Sequence, residues 1–157
     1  MKNLTTLFAL FIPFLLTAQT NIVWKGGTPG QETKWTEPQN WDANRVPGEF
    51  DHVVIHAENT GHFSQPVLDG TAQIASVEIG PGAELHIAET GQLVVDGTHT
   101  YSEGISIYGG KLVADGIVIL KHAVLDRLVE TEPVVLKKRV LYQSTSYDNA
   151  VSVVTSH

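Results

Sequence analysis

The sequence predicts an all-β fold in which short strands stack as the coils of a solenoid, and three observations lead there. Apolar and polar residues alternate over short stretches, as in "GPGAELHIAETGQLVVDG" at 80–97, the period of a half-buried strand. The seven residues "GQLVVDG" at 91–97 return as "GKLVADG" at 110–116, five of them identical, at an offset of 19. All 14 glycines lie between Gly26 and Gly116, so turns are written into one part of the chain only. A recurrence near 20 residues marks a unit that cannot bury its own apolar face and must stack on its neighbour.

The elements follow in chain order. Residues 1–18 begin Met1-Lys2, continue through an apolar run at 4–16 and end in the small residue Ala18. That is the grammar of a secretory signal peptide, and the run falls short of the ~20 residues that a membrane helix needs. No later stretch reaches that length, so a soluble, secreted chain is expected, with no membrane span after cleavage. Residues 19–71 form an irregular region holding Trp24, Trp35 and Trp41, four prolines and one alternating stretch, "HVVIH" at 52–56. A solenoid end leaves apolar side chains and strand edges open, and these tryptophans with Phe50 suit an N-terminal cap.

Residues 72–120 carry the regular coils. Within them Leu93 is expected over Leu112, Leu85 over Ile105 and Ile87 over Ile107, with Asp96-Gly97 and Asp115-Gly116 turning corners. Residues 121–157 contain no glycine and read as a C-terminal cover. "HAVLDRLVE" at 122–130 spaces its apolar residues for a helix face, and "VVLKKRVLY" and "AVSVVT" read as strands. Lys137-Lys138-Arg139 is a short basic cluster suited to guarding a strand edge. The competing architecture is an antiparallel β-sandwich, which also uses short strands at regular intervals. The 157 residues allow one domain.

Composition excludes several function classes. The formal net charge is −7, against what nucleic-acid phosphates or an anionic membrane surface attract. Cysteine is absent, which removes disulfides, thiol nucleophiles and thiolate metal sites.

The run "WKGG…WTEPQNW…VPGEFDHVVI", then "QPVLD" and "ASVEIGPGAELHI", resembles the N-terminal region of secreted bacterial right-handed parallel β-helix proteins. It is also loosely similar to the glycine-named G8 module of extracellular proteins. The resemblance spans residues 23–120 and rests on Trp24, Trp41, Pro47, Asp51 and the glycine-spaced strands. It implies a short right-handed parallel β-helix, a β-solenoid with an aromatic-rich N-terminal cap. It does not select among adhesins, lyases and other proteins that share such a start.

Candidate sites are few. Trp24, Trp35 and Trp41 offer indole faces for sugar stacking, against the commoner fate of burial in the cap. Asp96 and Asp115, one above the other if the 19-residue offset is a stacking register, are weak candidates for calcium, with open Asp-Gly turns as the bland alternative. His52 and His56 lie about 13 Å apart along one strand, too far to share a metal, so no metal site and no other cofactor is expected from them. "HTYSEG" at 99–104 packs His99, Ser102 and Glu103 too tightly in sequence to form a triad. The functional expectation is a structural or adhesive module at the cell surface, without catalysis, its partners polysaccharides or surface proteins. The alternative is a carbohydrate-binding module or the N-terminal fragment of a polysaccharide lyase or hydrolase.

Overall fold

The computed structural model describes residues 20–57, 64–97 and 104–122, and beyond them the backbone of residues 124–127, 134–136, 140–143 and 152–154. The leader at 1–18, the turn residues His99, Ser102 and Glu103, and the basic cluster at 137–139 lie outside the described residues. The fold is all-β. Among the described residues fourteen strands follow one another: β1 Asn21–Val23, β2 His52–Ile55, β3 Val67–Leu68, β4 Thr71–Ile74, β5 Ser76–Ile79, β6 Glu84–Ile87 and β7 Gln92–Asp96. Then come β8 Gly104–Ile107, β9 Lys111–Ala114, β10 Ile117–Lys121, β11 Val124–Arg127, β12 Val134–Leu136, β13 Val140–Gln143 and β14 Ser152–Val154.

They form three sheets, ordered β1-β2-β5-β8-β11, β3-β6-β9-β12 and β4-β7-β10-β13-β14. From β3 to β13 the chain visits the three sheets in rotation, and each strand pairs with the third one after it. Every pairing between strands is parallel except β13 with β14. The antiparallel sandwich is thereby excluded. Residues 124–127 also depart from expectation. The apolar spacing at 122–130 reads as a helix, but Val124–Arg127 is a strand parallel to β8. A neighbouring strand with open hydrogen-bonding groups decides between the two for so short an apolar run. Strands β11, β12 and β13 lengthen all three sheets past residue 120, so the expected cover begins with more of the same ladder.

Alternation explains the core. Inward positions form columns that run across the ladders: Val53, Val77 and Ile105; Ile55, Ile79 and Ile107; Ala72, Leu93 and Val118; Ile74, Val95 and Leu120. Leu85 lies beside Leu112 and Ile87 beside Ala114. All these residues are buried.

The expected columns were out of phase. Leu93 neighbours Val118 rather than Leu112, Leu85 neighbours Leu112 rather than Ile105, and Ile107 neighbours Ile79 rather than Ile87. Residues paired between parallel strands stand 19 to 31 positions apart, from Val67 with His86 to Asn21 with His52, so no single offset sets the register. Each circuit of the ladder holds three strands, not two. The 19-residue similarity relates β7 to β9, which belong to different sheets and share only a corner chemistry.

At one corner that chemistry is steric. A Cβ built on Gly91 would lie 2.2 Å from the Leu68 carbonyl oxygen, and one on Gly116 would lie 2.2 Å from that of Gly91. Successive corners approach too closely for any side chain. Gly116→Ala is therefore expected to cost about 1–3 kcal/mol through forced backbone shifts. Gly70→Ala, with open space around it, should be close to neutral, and thermal unfolding of the two variants checks the contrast.

The aromatic region closes one end. Trp24 and Trp35 both pack edge-on against Trp41, with ring centroids 4.8 and 4.7 Å away and planes at 77° and 75°. Trp24 Nε1 donates to the Ser64 carbonyl and Trp41 Nε1 to that of Trp35. A 3₁₀ turn, Pro38–Asn40, has proline at its start and the Glu37 carboxylate accepting from Gln39 N–H. The buried Asn40 ties the loop together. Its amide donates to the carbonyls of Gln31 and Lys34 and accepts from Thr28 N–H, while its own carbonyl accepts from Lys25 and Gly26. Among the described residues no helix is long and apolar enough to cross a membrane.

Candidate functional site

The sheet of β1, β2, β5, β8 and β11 brings together a polar cluster that sequence spacing alone does not reveal. Ile55, Ile79 and Ile107 are neighbours on the ladder and point inward. The ladder continues one residue further, with Gly80 N–H donating to the Ile55 carbonyl and Tyr108 N–H to that of Ile79. By strand alternation the next side chains, His56 and Tyr108, point outward. Gly80 stands between them without a side chain. A Cβ there would sit 2.4 Å from His56 Cδ2, so the imidazole occupies the space the glycine leaves.

Glu78, two residues earlier on β5, also faces outward and completes the group. His56 Nε2 lies 2.8 Å from Glu78 Oε1. The Tyr108 hydroxyl donates to the same Oε1 and also contacts His56 Nε2. The two rings meet edge to face, 5.5 Å apart. The cluster is half open to solvent, with side-chain exposures of 38% for His56 and 31% for Glu78. Nearby on the same face His52 Nδ1 lies 2.6 Å from Ser76 Oγ. Ser76 is fully buried, so that hydroxyl is no accessible nucleophile.

Two groups of the cluster, Glu78 and Tyr108, are shifted away from neutrality. Partial burial favours the neutral acid at Glu78, but hydrogen bonds from Tyr108 and His56 and the nearby imidazole charges outweigh it, and its pKa is lowered. Partial burial and the Glu78 carboxylate push the Tyr108 phenol up to about 12. Burial lowers His52, against the pull of Glu78. Proton-transfer catalysis favours groups whose pKa lies near the working pH. Glu78 and Tyr108 are displaced the other way, which suits fixed hydrogen bonding.

A second polar group lies at the cap. Arg45 grips the nearly buried Asp51 through two hydrogen bonds of 2.6 and 2.7 Å, and Gly48 N–H donates to the same carboxylate. Burial opposes ionisation of Asp51, but these donors prevail and its pKa is lowered. An open cavity of about 630 Å³, lined by Thr20, Pro47, Glu49, Phe50 and Gln73 among others, lies beside this pair. Asp51 also presents its carbonyl to Ala75 N–H, so the pair fixes a corner between sheets.

These shifts set a pH profile. Asp51 and Glu78 have folded values below their unfolded ones, so their contribution is complete above about pH 4.5 and is lost as pH falls further. His52 acts in the same sense from about pH 6.5 downward. Tyr108 is raised, so its contribution is lost as pH climbs from about 10 towards 12. The thermal midpoint is expected to fall gently below pH 6.5, steeply below 4.5 and again above 10. Tyr108→Phe should remove the alkaline limb assigned to that phenol.

The residues singled out from sequence fare differently. Trp24, Trp35 and Trp41 are 2%, 0% and 0% exposed. No indole face among them is open to a sugar ring, because the three rings cover one another and the first core columns. Asp96 and Asp115 are not brought together. Asp96 lies on β7 opposite Lys121, with His122 Nδ1 at 3.4 Å, whereas Asp115 follows β9 and meets His86 Nε2 at 2.9 Å. The calcium expectation assumed that the 19-residue offset stacks β7 on β9, but these strands belong to different sheets. Among the described residues no three His, Cys, Asp or Glu side chains are placed to hold a metal ion.

Sequence reasoning found His52 and His56 but followed them only along their own strand. Glu78 and Tyr108 went unseen as partners. The signal was present in "VVIH", "VEIG" and "ISIY", which align His56, Gly80 and Tyr108 once offsets of 24 and then 28 residues are used. The chain matches no family model, no curated protein and no solved structure.

Proposed function

We propose that this chain is a short right-handed parallel β-helix, secreted from the cell, that serves as a structural or adhesive module at the cell surface. The rotation of strands through three parallel sheets supports the β-helix reading. The observation that carries the functional one is the division of side chains. The tryptophans and branched apolar residues lie inward, while outward positions of the sheets carry His52, His56, Glu78, Glu84, His86 and Lys111. A broad face of fixed hydrogen-bonding groups suits contact with an extended partner, a polysaccharide or a surface protein. The displaced pKa values of Glu78 and Tyr108 weigh against an acid–base enzyme at that cluster.

A direct test displays the chain on a non-adherent bacterium and measures attachment to glass, protein-coated and polysaccharide-coated surfaces. Retention should rise on at least one of them, and no gain on any would end the adhesive reading. A second reading, a carbohydrate-binding module or the front end of a polysaccharide-degrading enzyme, draws on the half-exposed Tyr108 ring beside Glu78 rather than on the tryptophans. Release of reducing ends or unsaturated sugars from a polysaccharide panel would favour it.

A further inference from the structure

We propose that His56, Glu78 and Tyr108 form a binding site for a first-row divalent metal ion on the outer face of the sheet, filled most tightly by copper(II). His56 Nε2, Glu78 Oε1 and the Tyr108 hydroxyl are mutual neighbours, the first two 2.8 Å apart and the third in contact with both. A triangle of three such atoms has three edges but at most two hydrogens, one on the phenol and one on Nε2. The three edges are therefore never each served by a hydrogen of its own: one hydrogen is shared between two acceptors, or, when Nε2 carries no proton, one edge sets lone pair against lone pair. A cation coordinated by all three removes that conflict, because each atom then directs a lone pair at the metal.

The donor chemistry fits the metal class. One imidazole nitrogen and two oxygens suit copper, zinc or nickel, and copper(II) heads the affinity order for such sites. Three donors leave further coordination positions for water or a partner's side chain. The site is also supported from beneath. The three residues come from adjacent strands of one ladder, and the imidazole rests where Gly80 lacks a Cβ. Binding requires the donors to spread by several tenths of an ångström, since ligands about 2.0–2.2 Å from a metal stand farther apart than these atoms do. Half-exposed side chains leave room for that. On coordination the phenolic proton leaves to solvent and the phenolate oxygen bonds the metal, while the neutral imidazole carries its proton on Nδ1 and bonds through Nε2, so one proton is released for each ion bound.

The test must separate this site from adventitious binding by the other histidines, of which the chain has seven in all. Copper(II) is titrated into the purified protein while visible absorption is followed. Phenolate ligation produces a phenolate-to-copper charge-transfer band that imidazole and carboxylate ligands alone do not. The wild-type band should saturate at one equivalent and carry one released proton. Tyr108→Phe, with folding checked by circular dichroism, should abolish the band and weaken the tightest copper binding at least tenfold. His86→Ala, at a separate His–Asp pair, should leave both unchanged. Absence of the band in wild type, its survival in Tyr108→Phe, or equal affinity in the two proteins would overturn the proposal.

Discussion

Trp41→Ala is expected to be the most damaging single change in the cap, lowering stability by about 3–5 kcal/mol. Trp41 is fully buried and stands between the other two indoles, in edge contact with both. Its removal opens a void bordered by Trp24 and Trp35 and orphans the Trp35 carbonyl that Trp41 Nε1 bonds. A small domain has a total stability of about 5–15 kcal/mol, so the loss is a large fraction of the whole. Trp35→Phe makes the control. Trp35 is equally buried, but its own Nε1 has no hydrogen-bond partner. Deleting that N–H removes no bond, and the change should cost only about 1–2 kcal/mol of packing. Denaturant midpoints of the two variants, followed by far-ultraviolet circular dichroism, check the difference. Equal losses in the two variants would sink the prediction.

Asn40→Asp is the second large effect, at roughly 3 kcal/mol or more near neutral pH. The two side chains are nearly the same size, so packing is preserved. The Asn40 amide nitrogen donates at 2.7 Å to the Gln31 carbonyl and at 3.0 Å to that of Lys34. A carboxylate would turn both bonds into repulsions between buried oxygens. Only the acceptor role towards Thr28 N–H would survive. The sign of the pH dependence distinguishes this cause from a general loosening. Burial among carbonyls raises the substituted carboxyl's pKa, so acidification protonates it and restores one donor. The gap between variant and wild type should therefore narrow as pH falls from the raised value towards about 4, the value of an unfolded Asp. A gap independent of pH would sink the argument.

Both predictions concern residues that the sequence made visible to different degrees. The three tryptophans were legible as a cap, because large aromatics among prolines beside a repetitive β region have an exposed end to cover. Their mutual packing was not legible, and it decides that none of them meets solvent. Asn40 carried no signal at all. An asparagine in "EPQNW" looks like any turn residue until the carbonyls of Gln31 and Lys34 are seen to converge on it.

The His56, Glu78 and Tyr108 cluster shows the same limit. Each residue sits at an outward position that strand alternation predicts, but their meeting depends on a register set by a count of three strands per circuit. The strongest similarity in the chain, between 91–97 and 110–116, favours a count of two. It misleads because two different corners both end a strand with Asp-Gly.

By itself, then, the sequence determined the class of local structure. Alternation made the strands and glycine made the corners, since both are properties of a residue and its immediate neighbours. Only the tertiary structure decided which strands lie side by side, and with them the core columns, the buried indoles and the polar cluster on the outer face. The physical reason is that backbone hydrogen bonding between parallel strands is nearly indifferent to side-chain identity. Phase is chosen collectively, by how all the buried side chains and close-packed glycine corners fit at once.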